Sequence, residues 1–306
     1  MRQIHALAVA TVLLSSSVTP VSAAIASGPQ PAGSEGTDRT SQRSAPAEIL
    51  GTSGLLRAVI GLPAVLSRDP AIESLLASVP LAAPGVHALA VIAPGGDSLV
   101  VVSMAPFPTR RTSSLQGYRT GRWPTDGRAL VNPRYSAPAG FIWVTPENAP
   151  TRVSKHFRLA DFLTHDQPSV WPKVLVLSTV LIDKLELISE ALDCRGLPSE
   201  LHIMSGFRTP QYNALGVGAK GGRARDSRHM YGDAADVIVD ADGDGRMDDL
   251  DGDGRVTVRD AQLLLAVAED VEASHPEFVG GLSAYPANAA HGPFVHVDTR
   301  GVPARW

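Results

Sequence analysis

The 306-residue chain predicts an α+β fold in which a small all-β domain precedes a larger mixed domain. Three observations carry that expectation. Between residues 84 and 150 the short β-branched runs "VHALAVIAP", "DSLVVVSMAPF" and "GFIWVTPEN" alternate with Gly, Pro and Asp, the pattern of a small all-β unit. Further on, Leu177, Leu181, Leu185, Ile188 and Leu192 fall at three- and four-residue steps and stop before Gly196 and Pro198, which marks an amphipathic helix within "PKVLVLSTVLIDKLELISEALD". In the same C-terminal half, "LHIMSG", "AADVIVD" and "FVHVDT" have the length and composition of short strands, and a second helical pattern runs from about Asp260 to Ala273.

From the N-terminus, Met1-Arg2, an apolar run from Ala6 to Val18 and the small-x-small site Val21-Ser22-Ala23 follow the order of a secretory signal over residues 1–23. The mature protein is therefore expected to be exported, periplasmic or extracellular. It should lack a transmembrane segment, since no run reaches the ~18 consecutive apolar residues a span requires. Residues 24–83 are expected to form a flexible leader with weak helices. Up to Ala47 the composition is too polar to bury a core, and residues 48–80 have apolar groups at helical spacing but are interrupted by Gly51, Gly54, Gly61, Pro63 and Pro70. Within the all-β domain at 84–150, Tyr118, Trp123 and Tyr135 are expected to pack a small sandwich rather than present a polymer-binding face. Cys194 is the only cysteine, so an intramolecular disulfide is excluded; at the end of an apolar helical pattern it should be a small buried thiol. A net charge of -4 gives no sign of a nucleic-acid partner, and the chain is expected to act as a monomer.

All candidate chemistry falls in residues 151–306. His229 and Asp236 flank a turn containing Gly232 and two small residues, Ala234 and Ala235, so the chain can reverse and aim both side chains at one point. Strand alternation in "FVHVD" sends His296 and Asp298 to one face and Val295 and Val297 to the other. Taken singly, each of these histidines and carboxylates is an ordinary core group. Taken together, two imidazoles, one carboxylate and a position left for water make the ligand set of a catalytic zinc.

"SGFRTPQYN" (205–213), "SRHMYGDAAD" (227–236) and "FVHVDTRGVPARW" (294–306) resemble the motifs of the zinc D-Ala-D-Ala carboxypeptidases and murein endopeptidases, which share a fold with the Hedgehog signalling domain. The upstream "VSKHFRLADFLTHD" resembles the segment that precedes the long helix in that family, so the resemblance covers roughly residues 150–306. It implies a Hedgehog/DD-peptidase-like domain with His229, Asp236 and His296 as zinc ligands. It also implies that Arg208 holds a substrate carboxylate, which suits a planar guanidinium. His291, five residues before His296, stands where relatives place a non-ligating active-site histidine that stabilises an oxyanion or moves protons. Several relatives carry an acidic base three residues before the last ligand; this chain has Pro293 there, which leaves the general base open. Asp298 fits a group that orients a histidine or a loop better than it fits the base.

Directly after "AADVIV" comes an acidic ladder. In "DADGDGRMDDLD" Asp240, Asp242, Asp244, Asp248 and Asp251 occupy positions 1, 3, 5, 9 and 12 of a calcium loop, with Gly245 at position 6. A second copy starts at Asp249, with Asp251, Asp253, Gly254, Thr257 and Asp260 at the corresponding places. The two overlap, so they cannot be two separate helix-loop-helix hands; the insert at 240–260 resembles the aspartate repeats of thrombospondin type 3 modules or a dockerin half-repeat. Packed carboxylates repel one another unless a cation sits among them, and Ca2+ is the expected ligand.

Two functional classes follow. The first is an exported zinc-dependent metallopeptidase hydrolysing peptidoglycan stem peptides, as a D-Ala carboxypeptidase or a cross-link endopeptidase. The second is a non-catalytic, calcium-dependent cell-wall binding or adhesion module with a retained zinc site. The ligand triad together with Arg208 and His291 favours the enzyme; the missing acidic base favours the module.

Overall fold

The computed structural model of the chain describes residues 48–52, 55–60, 85–89, 98–108, 112–126, 132–219 and 221–306. The expected signal over 1–23, the leader over 24–47 and the segment 61–84 lie outside the described residues. Among the described residues no helix is long and apolar enough to cross a membrane.

Strands β1 (Glu48–Thr52), β2 (Leu55–Ile60), β3 (Gly85–Leu89) and β4 (Ser98–Ser103) form one sheet in the order β1-β2-β4-β3. β2 and β4 run parallel, with Leu55 opposite Ser98 and Ile60 opposite Ser103, whereas the other neighbours are antiparallel. The weak helices expected over 48–60 are thus strands. Gly51, Gly54 and Gly61 leave no stretch near the ~12 residues at which a helix sustains itself in water, while six residues ending in Val59-Ile60 suffice for a strand.

One sheet crosses the boundary expected at residue 150. β5 (Ala105–Pro106) and β8 (Gly140–Val144) are completed into a sheet by β9 (Lys173–Leu175), which comes from beyond it. β9 occupies the start of the segment expected to be helical, so α1 begins only at Thr179 and runs to Cys194. A small hairpin, β6 (Ser114–Leu115) and β7 (Tyr118–Arg119), leads into a loop that packs directly on the C-terminal half. There the Trp123 indole N–H donates to the Met230 carbonyl at 2.8 Å and the Gln211 amide to the Thr120 carbonyl at 3.0 Å. Tyr118 and Trp123 are buried, and Tyr135 lies edge-on to Tyr231 with ring centres 5.6 Å apart, so Trp123 and Tyr135 pack against the C-terminal half instead of within a separate sandwich.

The remaining elements are β10 (Leu201–Ser205), α2 (Pro210–Ala214), β11 (Ala234–Val239), α3 (Val258–Ser274), β12 (Gly281–Tyr285), β13 (Phe294–Asp298) and β14 (Ala304–Arg305). They give a five-stranded sheet, β10-β11-β13-β12-β14, antiparallel except between β12 and β14. The architecture is mixed, with few helices and several sheets, and is compatible with the α+β class. Leu181, Leu185, Ile188 and Leu192 are the buried stripe of α1, as their spacing required. Cys194, expected to be buried, is exposed: two residues past Leu192 it is turned ~200° around the helix from that stripe.

One fully buried cation ties the helices to the sheet. Lys184 of α1 donates to Glu272 of α3 at 2.5 Å and to the Asp298 carbonyl at the end of β13 at 2.8 Å. Glu272 in turn accepts from the Gly280 amide at 2.8 Å and from Arg305 at 2.6 Å. Burial pushes the Lys184 ammonium below its ordinary pKa, with Glu272 opposing the shift. Removing one member of such a pair strands the other, so Lys184→Met should lower unfolding free energy by about 3–5 kcal/mol in urea titrations. A loss below about 1 kcal/mol, typical of a surface pair, would show that the buried pair does not join the helices to the sheet.

Candidate metal centre

Three elements converge on one point beneath the sheet. The antiparallel register of β11 and β13 sets Asp236 opposite His296, and β10 places Ser205 against Asp236 on the other side. His229 comes from the 3-10 turn Arg228–Tyr231, closed by Gly232 in the left-handed region at φ 73°. A Cβ at Gly232 would lie 2.3 Å from the Val176 carbonyl oxygen, so both its conformation and its space demand glycine. The turn is fixed further by Arg228, which forks onto Asp233 at 3.0 and 3.1 Å through Nε and stacks between the rings of Tyr135 and Tyr231.

His229 Nε2 lies 3.2 Å from His296 Nδ1 and 3.2 Å from Asp236 Oδ1, and His296 Nδ1 lies 3.0 Å from the same oxygen. Those are close to the ~3.3 Å edges of a tetrahedron whose metal–ligand bonds are ~2.0–2.1 Å. The outward nitrogens decide what the inward ones carry. His229 Nδ1 faces the Gly206 carbonyl at 2.8 Å and His296 Nε2 faces the Asp298 carboxylate at 3.1 Å, and both partners only accept. In its neutral form each ring would hold its proton on the outside and turn a lone pair inward. Two imidazole lone pairs and a carboxylate oxygen, all buried, point at one another, an arrangement that calls for a cation.

The charges agree. Burial alone would raise the Asp236 carboxyl, but His229, His296 and Arg208 outweigh it and hold it well below the usual carboxylate range. Asp298 is likewise held far down, against its burial, by His296 and Arg300. Burial pushes His229 down, with Asp236 opposing, whereas hydrogen bonds to Asp236 and Asp298 overcome burial at His296 and push it up. His229, Asp236 and His296 thus form a group able to hold a metal ion. No family model, no curated protein and no solved structure matches the chain.

The other expected residues are placed less uniformly. Arg208 reaches the centre, but its guanidinium sits on Asp236 Oδ2 and on Ser205 Oγ at 2.8 Å, so it orients a ligand carboxylate instead of standing free for a substrate. His291 makes local contacts. Its ring nitrogens face Asn288 Nδ2 and the Gly292 carbonyl, both at 2.7 Å, and its edge meets Phe294 with centres 4.8 Å apart. Sequence reasoning missed what encloses His296 from outside. Arg300 forks onto Asp298 and lies over the Trp306 ring at 5.4 Å; that ring in turn lies 5.3 Å from His296, closing a circuit of four side chains. The alternation that paired His296 with Asp298 extends to Arg300, which was the available signal.

In the acidic ladder each repeat folds its first aspartate onto the amide of the sixth-position glycine: Asp240 accepts from Gly245 at 3.0 Å and Asp249 from Gly254 at 2.6 Å. Gly245 and Gly254 have φ of 79° and 81°, the left-handed turn that this folding requires. Two carboxylate groups result, Asp240 with Asp242 and Asp248, and Asp249 with Asp251 and Asp260. Asp251 joins the second group rather than closing the first. Asp244 and Asp253 accept from the amides two residues on, and the Thr257 hydroxyl caps α3 by accepting from the Arg259 amide. The insert is anchored at the end of β11, where Asp248 N donates to the Val239 carbonyl at 2.9 Å, and by the buried side chains of Met247 and Leu250.

Proposed function

We propose that the chain is an exported zinc-dependent peptidase that hydrolyses peptidoglycan stem peptides, with a Hedgehog/DD-peptidase-like domain over residues 151–306. The observation that carries this reading is the convergence of His229 Nε2, Asp236 Oδ1 and His296 Nδ1 at tetrahedral spacing, with both outward ring nitrogens committed to acceptors. Two nitrogens and one carboxylate oxygen fit zinc better than calcium, which prefers all-oxygen shells, and three protein ligands leave a position for water. When bound, zinc supplies an acidified water and a polarised carbonyl for amide hydrolysis. The Gly206 carbonyl and Asp298 would fix the tautomers of the two rings that hold it, and Arg208 binds the second oxygen of Asp236. A role for His291 in proton transfer or oxyanion binding rests on the sequence resemblance.

The commitment of Arg208 to Asp236 and the bonding of both His291 ring nitrogens within their own loop favour a second reading, a non-catalytic wall-binding module that retains the metal. Incubating the zinc-loaded protein with purified muropeptides separates the two. The peptidase should release D-Ala or open cross-linked dimers, lose that activity to a chelator, regain it with zinc, and lose it at least 10³-fold, on the order of what metal-ligand loss costs, in His229→Ala. If no muropeptide is cut under any of these conditions, the binding module is the correct reading.

The two carboxylate groups of the insert are proposed as Ca2+ sites. Oxygen-only donors from a nine-residue repeat with left-handed glycines suit a hard cation. With dissociation constants of ~10⁻⁴–10⁻³ M, 10 mM calcium should stabilise the fold by about 1.4–2.7 kcal/mol per site. Thermal melts should show this gain in the wild type and its loss in Asp242→Ala/Asp251→Ala; equal melts with calcium and with a calcium chelator would remove calcium from the description.

A further inference from the structure

Trp306 is 56% exposed, and a solvent-facing indole needs no fixed orientation. This one is held at several points. Its N–H donates to the Tyr285 hydroxyl, its carbonyl accepts from Ser283 Oγ at 2.5 Å, and the Arg300 guanidinium lies 5.4 Å over its ring. Tyr285 is itself stacked on Phe294, with ring centres 4.7 Å apart and planes 9° from parallel. The backbone just before the indole is fixed by Arg305, which donates to Glu269 at 3.0 Å, to Glu272 at 2.6 Å and to the Gly280 carbonyl at 2.9 Å.

The sheet explains where the indole is sent. Ser283 of β12 stands opposite His296 of β13, and the parallel pairing of Gly281 with Ala304 and Leu282 with Arg305 brings Trp306 alongside Ser283. His296, Ser283 and Trp306 thus lie in one row across three strands, with the outer two roughly 10 Å apart at the backbone, two strand spacings. A short side chain at 306 could not span that distance. The indole does so because Ser283 between them is small and buried, and its ring centre lies 5.3 Å from that of His296. It also backs the Arg300 guanidinium, whose Nε reaches both oxygens of Asp298 at 2.9 Å. Gly281 leaves room for that pair: a Cβ there would lie 2.4 Å from Asp298 Oδ2 and 2.8 Å from Arg300 Nη2. Asp298 and the metal seat hold the His296 ring only through its two nitrogens, and a ring held at two points can still pivot about the line joining them. An indole against the ring stops that pivot.

We propose that Trp306 is a positioning residue for the metal centre: reaching across Ser283, it sets the tilt of His296 and thereby the affinity of the seat for its ion. This rests on the zinc reading of His229, Asp236 and His296 but not on peptidase activity, so it is tested without any bond being cut. Zinc dissociation constants of the full chain would be measured by competition with a chromophoric chelator, with calcium in excess, beside the thermal midpoint of the metal-free protein. Trp306→Ala should weaken zinc binding about tenfold or more, the scale on which groups that orient a metal ligand act, and Trp306→Phe, which keeps a ring, should recover part of that loss. Ser283→Val, which fills the gap the indole crosses and leaves Trp306 in the chain, should weaken zinc binding as Trp306→Ala does, and serves if Trp306→Ala does not fold. A lower midpoint in Trp306→Ala with zinc affinity unchanged would reduce the indole to packing and overturn the proposal. Zinc binding that survives undiminished in His229→Ala would refute the metal seat and the proposal with it, whereas His229-dependent binding indifferent to both Trp306→Ala and Ser283→Val would overturn the proposal alone.

Discussion

The register that sets Asp236 of β11 opposite His296 of β13 is the constraint on which the centre depends. Side chains on a strand alternate faces, so slipping the pair by one residue would send one ligand to the far side of the sheet and replace it with a valine. The register is held by the apolar face it creates: Val237, Val295 and Val297 are fully buried, and every residue of β11 is buried. The same alternation that fills the core with valines therefore points a carboxylate and an imidazole at each other. His229 completes the set only because Gly232 permits the turn that brings it under β11.

The groups around the ligands turn that convergence into a seat for positive charge. Asp298 fixes the ring of His296; Arg300 fixes Asp298; Trp306 closes the circuit against both Arg300 and His296. Lys184 reaches the backbone of Asp298 from α1, so the packing of the helices reaches the same strand end. At the opposite end of β11 the acidic insert is attached through the Val239 carbonyl and the buried Met247. Two groups of potential metal ligands thus share one strand, nitrogen-rich and buried at its beginning, oxygen-only and largely exposed at its end. A cation ordering the insert would stiffen the strand that carries Asp236.

Much of this was legible in the chain because it is locally encoded. The stripe from Leu181 to Leu192 and the alternation in Phe294–Asp298 depend on spacing within one element, and both are found where the spacing put them. What depends on distant pairing was not legible. Residues 48–60 carry apolar groups compatible with either period, and only pairing with β4 makes them strands. β9 was hidden at the head of a helical pattern, and its partner β8 lies across the boundary drawn at residue 150. The exposure of Cys194 follows from its rotation around α1, which the neighbouring leucines already fixed. Arg208 was placed at the centre by its motif, yet its bond to Asp236 could be seen only once β10 and β11 were side by side.

Zinc K-edge X-ray absorption on protein loaded with one equivalent of metal reads the donor set directly. Two imidazoles and one carboxylate predict a nitrogen and oxygen shell at ~2.0–2.1 Å with the multiple scattering of two histidine rings, and its loss in His296→Ala. A sulfur shell at ~2.3 Å, which would require Cys194, or an all-oxygen shell without imidazole scattering, which would put the ion in the acidic insert, would contradict a metal seat made by His229, Asp236 and His296.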